Sequence, residues 1–96
     1  MPVVMQQDIP GMTPELYDRV VEIMDLQSSP PQGGIIHIAS FDDSGLHVTD
    51  VWETREDFDR FAQERLGPAI QEADAAEGAP PESRFTEVHN YYAPGA

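Results

Sequence analysis

The middle of the chain constrains the fold most. Residues 35–41 (IIHIASF) and 46–53 (LHVTDVWE) are β-compatible runs, and Asp42-Asp43-Ser44-Gly45 between them has the composition of a hairpin turn. With Asp43 and Ser44 as the two loop residues, Asp42 sits opposite Gly45 and Phe41 opposite Leu46. Continuing outward, Ala39 meets Val48, His37 meets Asp50 and Ile35 meets Trp52. Side chains alternate across a strand, so these residues share one sheet face. Ile36, Ile38, Ser40, His47, Thr49, Val51 and Glu53 take the other. A turn one residue longer or shorter would exchange the two faces.

Helical patterns flank the hairpin on both sides. Residues 2–7 (PVVMQQ) read as a first strand, and Ile9-Pro10-Gly11 as a turn. Thr13-Pro14-Glu15 supplies a capping hydroxyl, a proline for the first helical position and an acid for the positive helix end. Leu16, Tyr17, Val20, Val21 and Met24 then recur at three- and four-residue intervals, which predicts a helix ending near Leu26. The Ser, Pro and Gly residues of 28–34 break it. Thr54 caps a second helix whose apolar stripe is Phe58, Phe61, Ala62 and Leu66, with Arg55/Asp59 and Glu56/Arg60 spaced to pair along its exposed side. Gly67-Pro68 breaks or kinks this helix, and residues 69–76 extend it briefly. Residues 77–83, with Pro80-Pro81, read as a loop, 84–92 (RFTEVHNYY) as a last strand and 93–96 as a tail.

The order strand, helix, strand, strand, helix, strand predicts a single α+β domain over residues 1–96. It is a ferredoxin-like βαββαβ fold with a four-stranded antiparallel sheet and both helices on one face. Ile36, Ile38 and Val51 make the opposite face apolar, so a second sheet is expected against it. A domain of this size buries only about 60–65% of its unfolded surface and often gains core by oligomerising, so a homodimer is the expected assembly.

Composition narrows the chemistry. Eighteen acids stand against 5 basic residues, a formal net charge of −13, and all of the basic residues are arginine (Arg19, Arg55, Arg60, Arg65, Arg84). No lysine means no Schiff base and no P-loop; no cysteine means no thiolate nucleophile, disulfide or cysteine-held metal. A chain this acidic is repelled by nucleic-acid phosphates and anionic membrane surfaces, so neither is an expected partner. No run approaches the roughly 18 apolar residues of a membrane helix, and residues 1–8 lack the basic and apolar regions of a signal peptide. A cytoplasmic location is therefore expected. The remaining partners are a small hydrophobic molecule and a second copy of the chain.

The run Trp52-Glu53-Thr54-Arg55-Glu56-Asp57-Phe58-Asp59-Arg60-Phe61 resembles the strand-to-helix junction of dimeric α/β-barrel proteins of the antibiotic-biosynthesis-monooxygenase branch. There a tryptophan ends the third strand, and a Ser/Thr cap, an acid and an aromatic follow. The resemblance implies a homodimer with sheets packed face to face and a pocket in each subunit between sheet and helices. Its members include cofactor-free oxygenases of polyketide phenols, haem-degrading enzymes, small isomerases and dehydratases, and ligand-sensing domains. Haem-degrading members hold iron through a histidine on the second helix, whereas residues 55–67 here contain none.

The opposed His37 and Asp50 are the candidate catalytic pair. Asp50 would orient the imidazole and stabilise its charged form, and His37 would take a proton from a phenol or an enolisable carbon. The same pair has a purely structural reading, in which a buried histidine finds the polar partner it needs. Trp52 would wall the site, while Tyr17 and Phe61, on helix faces turned to the sheet, suit either core or pocket lining. In the last strand His89 and Tyr91 fall on one face and Asn90 and Tyr92 on the other. Asn90 could hydrogen-bond a substrate carbonyl, or the strand could serve a dimer interface. A metal site would need His47 or His89, and His47 lies across the sheet from His37, so neither metal nor cofactor is expected. The functional expectation is a cofactor-independent monooxygenase-like enzyme acting by proton abstraction on a hydrophobic aromatic or polyketide-like molecule. The alternative is a non-catalytic binding or interaction dimer of the same fold.

Overall fold

The computed structural model describes residues 1–75 and 81–95. Strand β1 (Val3–Pro10) leads to helix α1 (Pro14–Met24), and β2 (Gly34–Asp42) and β3 (Gly45–Trp52) form the hairpin. Helix α2 (Arg55–Phe61) runs through a π-helical turn (Ala62–Leu66) into α3 (Gly67–Glu72), and β4 (Arg84–Glu87) completes the sheet. The strand order is β2-β3-β1-β4, with every neighbouring pair antiparallel. This is the expected ferredoxin-like α+β arrangement. Residues 76–80, most of the anticipated loop at 77–83, lie outside the described residues.

The hairpin register follows from its turn. His37 pairs with Asp50, Ala39 with Val48, Phe41 with Leu46 and Asp42 with Gly45. Asp42 accepts from the Ser44 amide (2.8 Å) and hydroxyl (2.6 Å), the local bonds that make an aspartate a turn residue. Gly45 carries φ +122°, and a Cβ there would meet the Ile9 carbonyl oxygen at 2.6 Å, because β1 passes directly behind it. The outer end differs from expectation. A bulge between Gly34 and Ile36 brings Gly34, not Ile35, opposite Trp52. The carbonyl of Gly33, a residue at φ +83°, accepts from the Glu53 amide (2.8 Å), so the chain bends at the glycine pair instead of continuing as a regular strand.

Helix ends also shift. Thr13 and Thr54 cap their helices as expected, accepting from the amides of Leu16 (3.2 Å) and Asp57 (3.1 Å). Helix α1 stops at Met24 because Asp25 turns left-handed (φ 51°), and Arg65 reaches back to the carbonyls of Met24 (2.7 Å) and Ser29 (2.5 Å). Gly67-Pro68 does not break the second helix. The Gly67 amide bonds to the Ala62 carbonyl five residues back, and the wider turn admits Pro68 near the start of α3. Among the described residues the expected Arg55/Asp59 and Glu56/Arg60 pairs are absent. Arg60 pairs with Asp57 (3.4 Å) and Arg55 lies 4.3 Å over the Phe85 ring.

The first strand runs on to Pro10 and the last is shorter than expected. β4 ends at Glu87, opposite Val3, and one further bond joins the Val88 amide to the Pro2 carbonyl (3.0 Å). Residues past Val88 have no strand left to pair with. Met5, Leu46, Val48 and Trp52 on the helix-side face of the sheet form the main core with Phe58 of α2, and a second cluster of Val20, Ala69, Ala73 and Ala75 joins α1 to α3. No helix among the described residues is long and apolar enough to cross a membrane.

Candidate functional site

A cavity of about 570 Å³ lies between the sheet and the helices, lined from both core clusters. Its wall is mostly aliphatic, aromatic and methionine side chains, and among the described residues Asp50 is its sole acidic side chain. No arginine lines it, and the chain has no lysine. The π-helical turn contributes Ala62 and Leu66 to this wall, so the irregular stretch of the second helix is also the stretch that shapes the cavity.

Polar groups converge at one side. Asp50 on β3 is buried, 5% exposed, and each of its carboxylate oxygens is engaged. Oδ2 accepts from the Trp52 indole N–H at 3.1 Å, and Oδ1 lies 2.6 Å from His37 Nδ1. The indole nitrogen is a donor only, so it holds the carboxylate as an acceptor. A carboxylate only accepts, so with Asp50 ionised Nδ1 of His37 carries the proton it donates to Oδ1, which leaves Nε2 as the acceptor in the neutral ring. The Tyr17 hydroxyl, 2.6 Å from Nε2, donates to it. The bonds run in one sense, Tyr17 to His37 to Asp50, with Trp52 anchoring the far end. Burial pushes the Tyr17 phenol above its ordinary value, and the negative charges of Asp50 and Asp18 push the same way. Tyr17 is thus a neutral hydroxyl near neutral pH.

Packing fixes these groups. The rings of Tyr17 and His37 are nearly parallel (5°) with centroids 6.1 Å apart, and Phe41 meets Tyr17 edge-on at 6.0 Å. Trp52 is held between Phe58 (5.7 Å) and Phe61 (5.2 Å). The structure therefore gathers Tyr17, His37, Asp50, Trp52 and Phe61 around one cavity. Asn90 is not with them. It is exposed in the irregular chain beyond β4 and does not line the cavity, because the strand that was to carry it ends at Glu87. Among the described residues no group of three or more histidine and acidic side chains is arranged to hold a metal ion.

Sequence reasoning missed Gln7. This residue is 8% exposed, lines the cavity and donates through Nε2 to the Ser83 hydroxyl at 2.8 Å. Strand alternation was the available signal, since Gln7 lies between Met5 and Ile9 on one face once β1 continues to Pro10.

No family model matches the sequence, and no curated protein does. Solved structures do match. A candidate antibiotic biosynthesis monooxygenase from Chloroflexus aurantiacus superposes with a TM-score of 0.68 at 17% identity, over 99% of this chain and 100% of that one. The fold is that of the antibiotic-biosynthesis-monooxygenase-like proteins. SnoaB, a cofactor-independent oxygenase from Streptomyces nogalater, shares it at a TM-score of 0.61 and 15% identity, over 94% of each chain. A candidate monooxygenase of the same kind from Deinococcus radiodurans matches at 0.59 and 12% identity, over 97% of each. The likeness is one of fold, and it agrees with the resemblance at the Trp52–Phe61 junction.

Proposed function

We propose that the chain is a cofactor-independent oxygenase of the monooxygenase-like group, acting on an uncharged, hydrophobic aromatic molecule. The observation that carries this reading is a hydrogen-bonded His37–Asp50 pair at the wall of a mostly apolar cavity. Without a cationic side chain in the wall, a carboxylate, phosphate or thioester of a nucleotide carrier would enter with its charge uncompensated. A polycyclic phenol or anthrone would not, and about 570 Å³ is within the usual range for a small-molecule site. The fold shared with SnoaB supports the same chemistry.

Turnover begins when the pair removes the acidic hydrogen of the substrate, with the charge on His37 offset by Asp50. The electron-rich conjugate base then reduces dioxygen, and an activated CH₂ plus O₂ becomes C=O plus H₂O. The reading includes a homodimer formed through the sheet face opposite the helices, where Ile38 is 54% exposed.

Oxygen uptake with 1,8-dihydroxyanthrone as the probe tests the function. The protein should consume one O₂ per anthraquinone formed, and His37→Ala should lower the rate by about 10²–10⁴-fold while remaining folded. Binding of the anthrone without oxygen uptake would assign the cavity to a non-catalytic binding protein. Unfolding of His37→Ala, together with full activity in a folded His37→Gln variant, would make the pair structural.

A further inference from the structure

We infer that Tyr17, rather than His37, is the group that meets the substrate, and that its hydroxyl relays the abstracted proton to His37. The inference rests on the acid–base reading above and extends it to a residue read from the sequence only as core or lining. Both nitrogens of His37 are occupied: Nδ1 by Asp50 at 2.6 Å and Nε2 by the Tyr17 hydroxyl at 2.6 Å. A substrate proton reaches Nε2 either by displacing Tyr17 or by passing through its oxygen. Displacement is resisted, because it would break the 2.6 Å bond to Nε2 and the edge-on contact that Phe41 makes with the Tyr17 ring. Passage through the oxygen needs no rearrangement. Tyr17 itself lines the cavity, and donating its own hydrogen to His37 leaves its lone pairs for the incoming one.

The transfer balances without any further reagent. The acidic hydrogen of the substrate moves to the Tyr17 oxygen as the original phenolic hydrogen moves to His37 Nε2. Tyr17 is neutral before and after, the positive charge rests on the imidazole beside Asp50, and the substrate leaves the step as its conjugate base. Free tyrosinate is not required, which matters because burial and the Asp50 and Asp18 charges all disfavour it. The direction of the chain is set by the Asp50 carboxylate, which accepts from His37 at Oδ1 and from the Trp52 N–H at Oδ2.

Proton removal can be read apart from oxygenation by mixing the protein with 1,8-dihydroxyanthrone under anaerobic conditions and following the visible band of its anion. Trp52, the one tryptophan of the chain, lines the cavity and reports binding independently through its fluorescence. Tyr17→Phe keeps the ring and removes only the hydroxyl. It should bind the anthrone within about twofold of wild type yet form the anion at least about 10²-fold more slowly. Because relay members act as a unit, Tyr17→Phe combined with His37→Gln should be no slower than either alone. Anion formation by Tyr17→Phe within about twofold of wild type, or fully multiplicative losses in the double variant, would overturn the relay while leaving the function of the His37–Asp50 pair intact. Failure of wild type itself to form the anion despite binding would remove the acid–base reading, and the relay with it.

Discussion

The site turns on one buried carboxylate. Asp50 is 5% exposed and stays tolerable there because Trp52 and His37 each engage one of its oxygens. Trp52→Phe preserves most of the ring packing against Phe58 and Phe61 but leaves Oδ2 without its donor, so the variant should lose about 1–3 kcal/mol of stability in urea unfolding. Adding Asp50→Asn to Trp52→Phe should change stability by less than the sum of the two single losses, since both remove the same bond; strict additivity would show that the indole merely packs. Half of this geometry was legible in the sequence. Turn chemistry at Asp42–Gly45 fixes the pairing of His37 with Asp50, and alternation fixes their common face. The other half was not. Whether the Tyr17 hydroxyl reaches Nε2, and whether the Trp52 N–H turns to Asp50, depends on how α1 and the second helix dock on the sheet, which no local pattern encodes.

Among the elements, the strands met expectation wherever a local turn or cap governs and departed from it where a neighbour does. The hairpin turn and both threonine caps are local. The bulge before Ile36, the arrest of β4 at Glu87 and the passage of the second helix through Pro68 depend on partners distant in sequence. One cluster ties several strands together on the face away from the helices. His47 on β3 lies 2.6 Å from Asp8 on β1 and 2.9 Å from Asp42 at the end of β2, and Arg84 on β4 reaches Asp8 at 3.2 Å. Hydrogen bonds that the His47 ring donates to Asp8 and Asp42 raise the His47 value, so its contribution is whole below the ordinary histidine value of 6.5 and fades as pH climbs through its higher folded value. Bonds from Ser44 and His47 lower Asp42 from 3.8 to about 2, so its contribution is whole above 3.8 and fades as pH falls toward 2. Asp8 is lowered too, chiefly by its bond to His47. All three act together only between about pH 4 and 6.5. The difference in unfolding midpoint between wild type and His47→Gln should therefore peak in that window and shrink on both sides. A difference that does not vary with pH would show that the cluster is not coupled to folding.

At the scale of the molecule, the net charge of −13 and the apolar outer face of the sheet bear on one property, self-association. The acids are distributed unevenly. Strand positions on the outer face hold Asp8 and Asp42, and these lie against His47 and Arg84, so this face is close to neutral while helices and loops carry most of the charge. Its centre is Val4, Ile36, Ile38 and Val51, and β1–β3–β2 pairing sets them side by side. A second copy docked here would cover Ile38 and keep the acidic surfaces apart. Two copies still bring together 2 × (−13) = −26 charges, whose long-range repulsion opposes the apolar contact. Salt shortens the reach of that repulsion from about 10 Å at 0.1 M to about 3 Å at 1 M and leaves apolar burial in place. The proposed dimer should accordingly tighten as sodium chloride is raised, by about tenfold or more in dissociation constant across that range, and Ile38→Asp should be monomeric at every salt concentration while retaining its circular dichroism. Light scattering after size exclusion reads both. A wild type that remains monomeric at micromolar concentration in molar salt would leave the outer face uncovered and remove the dimer, and a dimer that persists in Ile38→Asp would move the interface to another surface.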